Sequence, residues 1–369
     1  MKKFLRTAVC CLAAILLCSG IIIGCSEYKK SDFAFGKHFK SGTPYTNGYA
    51  VVSEDDGEKV IDTDGKVIFS GNYDSIFIAS PHLIGVEKAG KFGFMNLDGT
   101  TAIELQFYSA APFSDGFARV TLRHGFGMQF NYTDEQGNLL LDFAVGSNMC
   151  TLKNMFGETI EKEISNTTNF QNGVAAVCDA EQNWALIDKN GQLLTDFMYK
   201  EMHEFSNMIG KCKDESGAIV FIDTAGKVLF RTDAVDCYEC ISDRIRFRKN
   251  GLFGYLDRNG KVCIEAQFSS ATDFGNDTPL AVVKDENGQA FVLGKDDKKI
   301  EIQQSIENIA PYADGLAVVK LTDGQYAYAD TDGKICEQRF DFADICADGL
   351  CPVKIDGKFG YIEKVNLKF

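Results

Sequence analysis

Among residues whose types and spacing could carry chemistry, the thiols come first. The chain of 369 residues has 13 cysteines, and Cys237-Tyr238-Glu239-Cys240 has the C-x-x-C spacing used by zinc and redox sites. No second pair supports it, and His38, His82, His124 and His203 are dispersed without metal-ligand spacing. Gly85, Gly90 and Lys91 supply most of a phosphate-binding loop, but Phe92 stands where a Ser or Thr hydroxyl is required and a strand-like run follows where a helix should begin. Asp62-Thr63-Asp64-Gly65 and Asp330-Thr331-Asp332-Gly333 open like calcium loops. Their fifth and twelfth positions hold Lys66 and Tyr73, and Lys334 and Asp341, so they read as hairpin turns. The adjacent carboxylates Asp55-Asp56 and Asp296-Asp297 read as solvated turn residues. No nucleophile elbow, zincin helix or kinase signature occurs. The sequence therefore offers no catalytic residue, no metal site and no cofactor, and it is read as a non-enzyme.

Composition narrows the class further. Apolar residues make up 45% of the chain, with 35 Gly and 6 Pro, which is globular and neither collagen-like nor disordered. With 38 basic and 52 acidic side chains the formal charge is −14, which repels phosphate backbones and argues against nucleic-acid binding.

The amino terminus gives a destination. Lys2, Lys3 and Arg6 precede Ala8 to Ile23, sixteen residues without a charge. That run is short for a membrane span and has the layout of a secretory signal peptide. It ends in Ile22-Ile23-Gly24-Cys25, which resembles the lipobox of bacterial lipoproteins. The resemblance implies signal peptidase recognition at Ile22, Ile23 and Gly24, and lipidation of Cys25. Residues 1–24 are then a leader and 25–44 the lipidated cysteine and a polar tether. Loss of the leader takes the charge from −14 to −17. The expected location is the outer side of the cytoplasmic membrane, or an outer membrane where the organism has one, held by the N-terminal lipid.

Beyond residue 45 the dominant signal is self-similarity. Phe92-Gly93-Phe94-Met95-Asn96-Leu97-Asp98-Gly99 and Phe253-Gly254-Tyr255-Leu256-Asp257-Arg258-Asn259-Gly260 share one register, and Trp184 leading to Gly191, Tyr326 leading to Gly333, and Phe359-Gly360 follow it. Turn glycines at 65, 99, 137, 191, 226, 260 and 333 are separated by 34, 38, 54, 35, 34 and 73 residues. The last step covers two periods, with Asp297 in the missing glycine slot. A second signature opens the units, as in Phe113-Ser114-Asp115-Gly116 and Tyr45-Thr46-Asn47-Gly48. Short runs rich in Val, Ile, Phe and Tyr between Asp/Asn-x-x-Gly turns predict three or four antiparallel strands in each unit of about 35 residues.

This pattern resembles the WG repeat family, named for a Trp-Gly dipeptide in the second strand. The likeness spans residues 45–369 as eight full units and a partial ninth. The dipeptide itself is absent, and its slot holds Phe-Gly at Phe92, Phe253 and Phe359, Trp184-Ala185, and Tyr326-Ala327. A large aromatic beside a small residue is thus kept. The resemblance implies scaffold positions and no activity. The fold expected is all-β with tandem repeats, a β-propeller of about eight blades, with an open superhelical array as the alternative. The partial ninth copy is read as completing the first blade or capping the end.

The step of 54 residues contains an insertion at about 144–163. Met149, Leu152, Phe156, Ile160 and Ile164 are spaced 3, 4, 4 and 4 apart, which predicts a short helix or ordered loop. Nine cysteines remain after the leader and Cys25. Of these, Cys263, Cys336, Cys240 and Cys346 fall in apolar columns of the repeat and read as small buried hydrophobes. The function expected is an envelope-anchored, non-catalytic binding or scaffold module with an unidentified protein or envelope partner. The alternative is an envelope sugar-binding or hydrolytic propeller that uses its channel or the 144–163 insertion.

Overall fold

The structure, a computed structural model, describes residues 33–369 apart from 125–126, 145–146, 233 and 235. The leader, Ile22, Ile23, Gly24 and Cys25 lie outside the described residues.

Nine small antiparallel sheets follow one another along the chain and form a ring, a β-propeller of nine blades. Blade 2 shows the plan with strands Ser75–Ile78, Leu83–Lys88, Lys91–Asn96 and Thr101–Phe107, each paired with the next. Because successive strands reverse direction, the turns alternate between the faces of the ring. The turns from first to second and from third to fourth strand share one face, called here the turn face. The hairpins from second to third strand and the connections between blades share the other.

Short-range chemistry sets the turns. Asp62 closes the third-to-fourth turn of blade 1, where its Oδ1 accepts from the backbone N–H of Asp64 at 3.1 Å and of Lys66 at 2.9 Å. Asp188, Asp257 and Asp330 repeat this arrangement in their own blades. The side chains that suggested calcium loops are thus occupied by their own turns. Asp297 takes the left-handed conformation, φ 64°, that glycine supplies elsewhere in the series. At the aromatic-Gly slot the need is for close approach. A Cβ on Gly93 would stand 2.7 Å from the Ile103 carbonyl oxygen, and one on Gly254 2.6 Å from that of Ile264, both in the adjacent fourth strand.

Blades are joined by apolar packing and by a recurrent hydroxyl. Tyr132, Tyr255, Tyr328 and Tyr361, all third-strand residues buried to 0% exposure, donate to carbonyls of the following blade at Thr168, Thr272, Asp344 and Thr43. Burial pushes each phenol above its ordinary pKa, so these groups remain neutral donors.

The ring is closed, which decides against the open array. Blade 9 has three strands of its own, Phe342–Ala343, Leu350–Ile355 and Lys358–Glu363. Its fourth comes from the other end of the chain. Phe39 N–H donates to the Phe359 carbonyl at 2.8 Å, the two residues form a bridge in the register of Phe107 on Phe92, and Phe33 covers Gly360. The partial ninth copy therefore neither completes the first blade nor caps the array. It is itself completed, which makes nine blades where eight full units are legible. Within the stretch read as tether, Phe33, Ala34 and Phe39 are buried.

Two other expectations are corrected. From Met149 onward the 144–163 insertion is a β-hairpin and not a helix, with Met149–Lys153 paired to the start of Thr159–Thr167. Its turn reuses the repeat's own device, since Asn154 Oδ1 accepts from Phe156 N–H at 3.0 Å and Glu158 N–H at 2.9 Å. Apolar residues that looked like a helical stripe meet across the hairpin, Leu152 opposite Ile160. Among the cysteines, Cys346 is joined to Cys351 in a disulfide and Cys263 is exposed on a fourth strand, while Cys240 and Cys336 are buried as read.

Candidate functional site

The seam between blades 5 and 6 departs from the apolar pattern. Blade 5 begins with Glu201–Met202 paired to Ile209–Lys213, so Glu201 lies opposite Lys213 and Met202 opposite Cys212. The period of two sends Met202 and Cys212 into the core shared with blade 4. Glu201, His203, Lys211 and Lys213 share the opposite side, facing the first strand of blade 6, Asp236–Ile241. Together with Cys212, Ile219, Asp236, Cys237 and Tyr238 they line a cleft of about 270 Å³.

Its charges form a chain across the seam. Glu201 accepts from Lys213 and lies 2.6 Å from His203 Nε2. His203 Nδ1 is 3.5 Å from Glu239 Oε1, and Lys211 Nζ reaches that same oxygen at 3.2 Å and the Cys237 carbonyl at 3.3 Å. The hydrogen bond from Lys213 holds Glu201 below the usual carboxylate range. Burial is the largest single influence on Glu239 and works against ionisation, but the Lys211 charge, a backbone hydrogen bond, the Lys211 hydrogen bond and the charge of His203 together outweigh it, and this carboxyl is also held low. Both acids are therefore ionised at neutral pH. One seam further on, Arg246 donates to Asp273 at 2.9 Å and to the Ala271 carbonyl, and stacks its guanidinium 3.8 Å from the centre of the Tyr238 ring. Burial dominates at Asp273 and pushes its carboxyl upward in spite of Arg246.

This arrangement supplies alternating donors and acceptors beside an aromatic ring, which suits recognition. Among the described residues no group of three or more His, Cys, Asp or Glu side chains could hold a metal ion. Cys237 and Cys240 are both free and buried, and burial pushes each thiol up to about 11, away from the reactive thiolate.

The structure places the repeat residues as framework. Phe92, Gly93, Gly99, Gly191, Phe253, Gly254, Gly260, Gly333 and Gly360 sit in strands or turns spread around the ring, and Trp184 and Phe359 begin or occupy third strands. None of them enters the cleft. Sequence reasoning set His203 aside as dispersed and overlooked Glu201, Lys211, Lys213, Glu239 and Arg246 as site residues, although one signal was present. Lys211 and Arg246 occupy the repeat column of Arg119, and all three donate to a carbonyl in the first strand of the next blade.

Three stretches, residues 92–123, 184–207 and 253–288, match the family described as WG containing repeat. No curated protein matches the sequence. Among solved structures, a computationally designed protein, Ika8, is 13% identical with a TM-score of 0.39, the match covering 88% of this chain and 96% of that one. BamB from Moraxella catarrhalis is 12% identical with a TM-score of 0.41, over 78% of this chain and 95% of its own. AztD from Citrobacter koseri is 12% identical with a TM-score of 0.38, over 84% and 90%.

Proposed function

We propose that this nine-bladed repeat protein is a non-catalytic binding or scaffold module, held at the outer side of a membrane by a lipid on Cys25, and that the seam between blades 5 and 6 is where it meets its partner. The ionic cleft carries this reading. Ion pairs that are partly desolvated contribute little net stability, so Lys211, Glu239, His203 and Glu201 are poorly explained as structural glue and well explained as a recognition surface. The disulfide between Cys346 and Cys351 supports an exported location, since such bonds persist in oxidising compartments.

The test is capture of partners from cell-envelope extract by the wild-type protein and by Lys211→Met/Glu239→Gln. A partner retained by the first and lost by the second supports the reading. Equal capture by both moves the binding surface elsewhere. A small polar ligand such as a sugar is the second reading, favoured by the cleft's volume of about 270 Å³ beside Tyr238. Competition by free saccharides in the same assay separates the two.

A further inference from the structure

Among the described residues, the most exposed large apolar side chains are Val365 at 84% and Phe156 at 81%, with Met155 beside the latter at 49%. They come from the insertion of blade 4 and from the end of blade 9, and they reach the same face. Phe156 caps the inserted hairpin, whose end is pinned to the third-to-fourth turn of blade 4. Leu193 N–H donates to the Lys153 carbonyl at 2.8 Å, and Gln192 Nε2 to the Asn154 carbonyl at 3.4 Å. Val365 follows the end of the last third strand, where Lys364 N–H donates to the carbonyl of Gly349 in a first-to-second turn at 2.9 Å. Both turns belong to the turn face.

The described chain also begins there. Phe33 opens the 3-10 turn Ala34–Gly36 that leads to the closing bridge at Phe39, and Phe35 lies against Gly65 in the third-to-fourth turn of blade 1. Seven residues lie between Cys25 and Phe33, and the eight steps from one to the other span at most about 29 Å when fully extended. A lipid on Cys25 is therefore tethered from the turn face, which it holds within about 29 Å of the bilayer.

We infer that the ring rests on the membrane with its turn face down, and that Met155, Phe156 and Val365 enter the interfacial layer of that bilayer. The inference rests on the lipoprotein reading above. Three side chains are too few to recruit a free protein, but a tether makes the second contact intramolecular, so a weak contact is populated. The same face carries the turn carboxylates Asp62, Asp188, Asp257 and Asp330, which repel anionic headgroups, so the surface that fits is a zwitterionic phospholipid.

The experiment uses the exported, lipidated full chain in phosphatidylcholine vesicles containing brominated acyl chains. Trp184, the one native tryptophan, begins its strand at the opposite face and serves as an internal control. Phe156→Trp is expected to show at least twofold stronger quenching by brominated lipid than the unsubstituted protein, together with protection from aqueous iodide. Equal quenching in the two proteins, with full access of iodide to the new tryptophan, overturns the inference if the protein floats with the vesicles. If the unsubstituted protein does not float, and behaves as Cys25→Ser does, the anchor reading fails and the inference falls with it. Thermal unfolding of Phe156→Trp matching the parent confirms that the hairpin is intact.

Discussion

The seam between blades 9 and 1 and the seam between blades 5 and 6 share a backbone plan and differ in almost every side chain. At the first, Tyr361 is surrounded by Tyr45, Phe359 and Phe39 at ring separations of 5.1, 5.5 and 6.2 Å, and its hydroxyl crosses to Thr43. At the second, Lys211, Glu239, His203, Glu201 and Lys213 form an ionic chain around an open cleft. The repeat column that holds Lys211 in blade 5 holds Pro352 in blade 9, where it is buried. The comparison separates two duties. Ladder hydrogen bonds and close-approach glycines hold the blades, while the side chains turned toward the next blade are free to make a seam apolar and tight or ionic and open.

The largest test of that division is Phe359→Ala, which removes a 5% exposed ring from the closing seam and is expected to cost about 3–5 kcal/mol in denaturant unfolding. A loss below about 1 kcal/mol would show that this seam does not hold the ring. Tyr361→Phe should cost about 1 kcal/mol, because it leaves the Thr43 carbonyl without its buried donor. Tyr132→Phe should match it, and a large difference between the two would mean the closing seam is not equivalent to an internal one.

At the ionic seam, Lys211→Met/Glu239→Gln should change stability by less than about 1 kcal/mol, since removing both partners leaves no charge stranded. Partner capture should nevertheless fall at least tenfold, and the opposite outcome would make the ion pairs structural. The smallest effect concerns pH. Glu201 is held below its ordinary range by Lys213, so the pair's contribution is present above the unfolded carboxyl pKa and is lost as pH falls through the lower folded value. The stability difference between wild type and Lys213→Met should therefore shrink on acidification. Exposure of both side chains keeps it under about 1 kcal/mol at neutral pH, and urea titrations at several pH values measure it.

Much of the framework was legible because it is local. Asp62 with Gly65 is a turn in any context, Gly93 and Gly254 mark close strands, and Asp297 could be placed in a glycine slot by period alone. The hairpin at 149–163 was misread because a fold-back around Asn154 brings Leu152 opposite Ile160, four residues from Phe156 on each side, which imitates a helical stripe. Asn154 with Gly157 carried the correct signal, the spacing of the repeat's own turn. Ring closure was hidden because Phe33 and Phe39 sit outside the recognisable period and meet blade 9 only in space. The cleft was hidden for a related reason. His203 and Glu239 are 36 residues apart, so they look like separate copies of a unit when they are neighbours across a seam.

The borrowed strand of blade 9 also constrains the order of assembly. Tyr361 and Thr43 lie 318 residues apart, so closing the ring brings together segments far apart in the described chain. Until then blade 9 presents the unpaired edge of Lys358–Glu363, and the segment from Phe33 to Phe39 has no partner. A second chain at the same stage could supply that segment in trans. Closure on one molecule therefore requires the two segments of a single chain to meet before either finds a second copy.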